Sequence, residues 1–269
     1  MEKNQSFPDR QRLSIVTAMV LLAYSSAAFV RIPQNSISFQ IPGFLFEAKI
    51  NFFTIISIVV AGISAAGSDW VISGHPNLGE GQRWHHWILP ALTALVIGVP
   101  LNSIQVSAAW WVIFAMGAVL FVIVLASEYI SVDMQNTLYP LAIVSLTVVS
   151  LAMFLVLTIA VRGAGLRLYA VVSAIVPAIA LVSARILNLR LMGKWLIPWI
   201  AGISLIVGQL ALCLFYFPIK PITFGLILLG AAYALISLVA NMEERNEGIK
   251  MWVEPTLAFL IFFVLSFVL

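Results

Sequence analysis

Long apolar runs separated by short polar stretches set the rhythm of this 269-residue chain. Nine runs stand out, at about 13–30, 50–68, 86–102, 107–126, 138–161, 168–187, 195–216, 222–240 and 253–269. A helix of about 20 mainly apolar residues crosses roughly 30 Å of hydrocarbon. Inside lipid the backbone polar groups must be satisfied within the segment, so the nine runs predict nine helices. The expected fold is all-α, a polytopic transmembrane helical bundle. The run 86–102 is the weakest span because it is short and holds Pro90 and Pro100. A re-entrant course there would leave eight spans and reverse the side of every later loop.

One connection departs from plain loop. Residues 36–50 alternate apolar and polar positions through Ile37, Phe39 and Ile41, reach Pro42-Gly43 and continue apolar. Alternation around such a dipeptide predicts a short extracytoplasmic β-hairpin. An interfacial loop dipping its aromatic side chains among headgroups is the competing expectation. Pro140 and Pro255 are expected in first helical turns, where a missing N–H is harmless, and Pro177 is expected to kink the sixth segment. All eight tryptophans fall near segment ends, as amphipathic rings at headgroup depth should. No fixed-period repeat, two-half symmetry or long linker is visible, so residues 1–269 are expected to form a single integral membrane domain.

Composition agrees with the pattern. Hydrophobic residues make up 62% and charged residues 9% of the chain, against roughly 45–50% and 25% in soluble domains, and the mean hydropathy is +1.07. The net charge of +3 would hint at nucleic acid in a soluble domain. Here the cations flank apolar runs, so topology explains them and no nucleic-acid partner is expected. The lone Cys213 lies in an apolar run and reads as packing.

Of the fourteen Lys and Arg residues, nine fall on the side that holds the N-terminus and five on the other. That bias predicts a cytoplasmic N-terminus and an extracytoplasmic C-terminus in a cell (inner) membrane. The first segment has basic residues upstream and small residues near its end, as a signal peptide would. Its apolar run is longer than the usual signal core, so it is read as a retained helix.

All three histidines, His75, His85 and His86, lie between the second and third runs, in a stretch that also carries Asp69, Glu80 and Arg83. The same predicted face receives Glu128 and Asp133, then Arg185, Asn188, Arg190 and Lys194, then Glu243, Glu244 and Glu247. Asp69, His75, His85, His86 and Glu128 are therefore the candidate catalytic set, with His75, His85 and Asp69 as metal candidates. Adjacent histidines on a helix point about 100° apart and do not grip one ion together, and no HExxH or CxxC motif is present. No cofactor is expected, with a divalent metal as the alternative. The templates GxSxG and GKS/T are absent, and GEGQRW and GAGLRL miss the last glycine of a dinucleotide fingerprint. The pair Glu243-Glu244 reads as a solvated turn. Asp69 and Glu128 are expected to be hydrated or paired with Arg83 or Arg185, and Arg185 to snorkel. Glu254 is expected at a helix N-terminus, and Gln209 in an interhelical hydrogen bond.

The segments AGISAAGSDWVISGHP (61–76) and HHWILPALTALVIGVPLN (85–102) resemble an uncharacterised family of bacterial multi-pass membrane proteins, a domain of unknown function. The resemblance implies a membrane bundle and a bacterial source, and no activity. Two classes of function stay open. The first is a non-enzymatic membrane component (a carrier, a lipid-binding protein or a complex subunit) whose partners are membrane lipids or another membrane protein. The second is a membrane-embedded enzyme acting on a lipid-linked substrate, with the five candidate residues as metal ligands or acid–base groups.

Overall fold

The computed structural model of the chain describes residues 7–30, 35–41, 44–50, 52–76, 78, 84–133, 135–244 and 248–268. Among them are nine helices long and apolar enough to cross a membrane, and the chain is a multi-pass membrane protein. Packing divides it into two compact units, Met1–Leu138 and Tyr139–Leu269.

The first unit holds α1 (Arg10–Phe29), β1 (Asn35–Ile41), β2 (Phe44–Ile50), α2 (Phe52–Ile72), α3 (His85–Ser103) and α4 (Ala108–Ile130). The two strands pair antiparallel, from Asn35 opposite Ile50 to Ile41 opposite Phe44, giving the expected hairpin. The proposed turn at Pro42-Gly43 lies outside the described residues. All four helices touch one another, with α2 against α3 the largest contact. Val16, Val20, Tyr24, Val60, Ala94, Ile97, Phe121 and Leu125 form the apolar centre. Small residues set the crossings, as is usual where helices pack in lipid. A Cβ on Gly67 would run into the Val16 side chain, and one on Gly117 would come within 2.7 Å of Ile97.

The doubtful third segment is a continuous helix through both prolines. Its continuity has a local cause. Pro90 has no N–H to offer the carbonyl of His86, one turn earlier. Ser68 on α2 supplies that hydrogen bond from its hydroxyl, at 3.0 Å, in a buried position. The end of α3 is closed similarly: the indole N–H of Trp110 donates to the carbonyl of Leu101 at 3.1 Å. Trp110 is thus only 1% exposed, a core side chain rather than the interfacial ring expected of it.

The second unit holds α5 (Tyr139–Gly163), α6 (Leu168–Arg190), α7 (Ile197–Phe215), α8 (Pro221–Glu243) and α9 (Lys250–Val268). Helix α8 is central, touching α5, α6, α7 and α9, and every residue from Phe224 to Ala232 is buried. A helix apolar on all sides suits that position. Helix α9 packs closely on α8 but is otherwise exposed. A Cβ on Gly230 would lie 2.8 Å from that of Phe262, so glycine permits this approach.

Several helices run about a turn beyond the apolar runs. Helix α9 begins at Lys250, which puts Pro255 past the first turn. The Met251 carbonyl that Pro255 leaves without a donor accepts instead from the Asn241 side-chain amide on α8, at 3.2 Å. Helix α6 runs on to Arg190, so Arg185 lies inside it and is 1% exposed. It donates to Asn188 Oδ1 at 3.2 Å and does not snorkel. Gln209 is exposed on α7, without an interhelical hydrogen bond among the described residues.

A double-mutant cycle tests the role of Ser68. Ser68→Ala should lower stability by about 1–3 kcal/mol, because it strands a buried carbonyl. In a Pro90→Ala background, where residue 90 again supplies an N–H, the same change should cost far less. Thermal or denaturant unfolding of the four detergent-solubilised proteins measures the difference.

Candidate functional site at the polar end of the first unit

The polar end of the first unit is built from the last turns of α2 and α4 and the first turn of α3. Helix α2 closes through Ser73, Gly74 and His75, whose N–H groups bond back to Asp69, Val71 and Ile72. This lifts His75 off the helix and against the ring of Tyr129 on α4, with centroids 4.7 Å apart. Helix α3 starts with both remaining histidines, their rings 4.1 Å apart and tilted by 42°. His86 Nδ1 lies 2.7 Å from Glu128 Oε2. Glu128 is 0% and His86 7% exposed.

A carboxylate taken out of water is costly unless a cation or strong donor meets it. His86 meets the Glu128 carboxylate, while the Ser131 hydroxyl closes the helix end by donating to the Glu128 backbone carbonyl at 2.8 Å. Since an ionised carboxylate only accepts, Nδ1 is the donor in this contact. Glu128 is therefore neither hydrated nor in the loop where the apolar run placed it. It sits in the last turn of α4.

Asp69, half-buried in the last turns of α2, accepts from the indole N–H of Trp87 at 3.2 Å. Arg83 and Glu80 lie outside the described residues. Of the five candidates, His86 and Glu128 are in direct contact, the His85 ring lies tilted against that of His86, Asp69 reaches α3 through Trp87, and His75 packs on Tyr129 instead. Among the described residues no three His, Cys, Asp or Glu side chains gather as a group able to hold a metal, His75, His85 and Asp69 included. Of these three, Asp69 is already engaged by the Trp87 indole.

Burial pushes the His75 imidazole below its ordinary value of 6.5, and nearby Asp133 pulls the other way. Two residues that the sequence reading passed over also shape this end. Arg12 on α1 donates from Nη1 to the Trp70 carbonyl at 2.9 Å and to Ser73 Oγ at 3.3 Å. It lies 5.5 Å from the Trp70 ring centre and ties α1 to the C-terminal end of α2. Tyr129 is 1% exposed, and its hydroxyl has no hydrogen-bond partner among the described residues.

The second unit has its own polar cluster. Arg190 at the end of α6 meets Glu244 at 2.9 Å and Glu254 at 3.4 Å, and donates to Asn241 Oδ1 at 2.9 Å. The Tyr233 hydroxyl donates to Glu254 Oε1 at 3.0 Å. Glu254 thus acts as an acceptor across helices rather than as a helix-terminal charge, and Glu244 is an ion-pair partner rather than a plain solvated turn. These contacts join α6, α8 and α9.

The His75 shift sets an expectation for acid sensitivity. Because the folded value lies below the unfolded one, the unfolded chain binds more protons in the window between them. The stability is fully present above 6.5 and is lost as the pH falls through that value towards the folded one. His75→Phe, which keeps a ring against Tyr129, should therefore melt with a smaller drop between pH 7.5 and 5 than the parent protein. Parallel melting curves in detergent check this.

No curated protein and no solved structure matches the chain. A protein-family model, described as protein of unknown function (DUF5656), matches residues 32–269. The match extends beyond the second to fourth segments that carried the sequence resemblance and runs from the hairpin through α9. The chain belongs to this family of proteins of unknown function.

Proposed function

We propose that the protein is a non-enzymatic component of a bacterial inner membrane, oriented with its N-terminus in the cytoplasm, that binds lipids or a neighbouring membrane protein. One observation carries the reading: the ionisable side chains at the helix ends are committed to one another. His86 and Glu128 form a buried 2.7 Å contact, Asp69 holds Trp87, and Arg190 gathers two carboxylates. Groups engaged in this way hold helices together; a reaction centre needs at least one of them turned to a substrate. Exposed Trp70, Trp84 and Trp87 ring the polar end of the first unit, which suits a surface at headgroup depth. The orientation rests on the excess of Lys and Arg on the N-terminal side.

A second reading has one observation in its favour. A buried carboxylate bonded to one nitrogen of an imidazole is the arrangement that orients a general base, so His86 could serve a membrane-embedded enzyme acting on a lipid-linked substrate. The two readings separate in vesicles of bacterial polar lipid containing the purified chain. Mass spectrometry of the lipids over several hours should show no species consumed or formed. A lipid conversion that disappears in His86→Gln and Glu128→Gln would overturn the non-enzymatic reading.

A further inference from the structure

At the polar end of the first unit, a cleft of about 580 Å³ opens between the start of α1 and the ends of α2 and α4. Phe7, Pro8, Asp9, Arg10, Arg12, Val71, Gly74 and Tyr129 line it. It is separate in composition from the His86–Glu128 contact, neither member of which lines it. We propose that this cleft binds a phosphate group, supplied by the headgroup of an anionic lipid, with Arg10 and Arg12 as the cations and the Tyr129 hydroxyl as a donor.

Charge is the first support. Two guanidinium groups face one carboxylate, and that carboxylate is occupied: Asp9 Oδ1 accepts from the Gln11 N–H at 2.9 Å as the cap of α1. The cleft is therefore net positive and holds the N-terminal end of a 20-residue helix, where the helix dipole favours an anion. A planar guanidinium suits phosphate geometrically as well as electrically.

Tyr129 is the second and independent support. A buried hydroxyl with nothing to bond is uncommon and unfavourable. Tyr129 lines a cleft that holds guanidinium donors, so the acceptor missing from the protein is one that a bound oxyanion would bring. His75 packs against the same ring and fixes its place.

Depth is the third. Trp70, exposed at this end, lies beneath the Arg12 guanidinium, and exposed Trp84 and Trp87 share the level of the α3 start. Aromatic rings of this kind mark the layer where lipid phosphates lie. Gly74 leaves the cleft wall bare next to Arg12: a Cβ there would lie 2.9 Å from Arg12 Nη1.

This inference rests on the proposed lipid-binding role but fails separately from it. The full-length protein in phosphatidylcholine nanodiscs is titrated with phosphatidylglycerol or, in a second arm, with inorganic phosphate, and binding is read by native mass spectrometry and melting temperature. Phosphatidylglycerol should bind and raise the melting temperature. Tyr129→Phe should weaken it roughly tenfold, the loss of one hydrogen bond to a charged group, while the unliganded protein melts no lower than the parent. Arg10→Gln should weaken it several-fold. Phosphate binding alone, with the same response to both variants, would assign the cleft to free phosphate and overturn the headgroup source. Equal retention of phosphatidylglycerol by parent and both variants would overturn the site itself. Lipid conversion dependent on His86 would sink the non-enzymatic reading and leave these affinities unchanged.

Discussion

Where lipid and packed side chains keep water from the backbone, a carbonyl that a proline strands is costly unless a donor inside the protein meets it. This chain meets the requirement at two comparable places. Pro90 frees the His86 carbonyl and Ser68 bonds it; Pro255 frees the Met251 carbonyl and Asn241 bonds it. In each case the donor comes from the neighbouring helix, so a local defect becomes an interhelical tie. Such ties are directional, unlike apolar contacts between helices in lipid, which gain little from the hydrophobic effect because the solvent is itself apolar. Tyr24 adds another in the first unit, donating to the Ala94 carbonyl at 2.6 Å from a fully buried ring.

The residues that answer this demand also position the charged groups. Asn241 donates to Met251 and accepts from Arg190, so the bond that repairs α9 also orients the guanidinium that gathers Glu244 and Glu254. Ser68 fixes the first turn of α3 by its backbone at the residue whose side chain reaches Glu128. Helix repair and charge placement are thus one arrangement in each unit.

The sequence made the nine helices and the hairpin readable because both leave periodic or bulk signals: long apolar runs for the first, alternation for the second. Helix ends were much less readable. An apolar run stops at the first polar residue, but a helix continues into the headgroup layer wherever side chains on other helices satisfy its last turn. The apolar run of α4 stops short of Glu128, which nonetheless lies in the last turn of that helix, while Arg185 and Glu254 fall within their runs and only the partner each meets is hidden. The partnership between His86 and Glu128 spans 42 residues and leaves no local trace, since it depends on how α3 crosses α4. Likewise, nothing in the residues around Trp110 tells a buried indole from an interfacial one. That difference lies in the Leu101 carbonyl at the end of the preceding helix.

These contacts bear on binding through rigidity. At one end of the first unit, Arg12 ties α1 to α2, Ser68 ties α2 to α3, and His86 ties α3 to α4. A buried carboxylate left without its hydrogen-bond partner is costly, so the last of these ties resists opening. A cleft whose walls are α1, α2 and α4 then has its shape set before any ligand arrives. Preorganisation of this kind reduces the conformational entropy lost on binding.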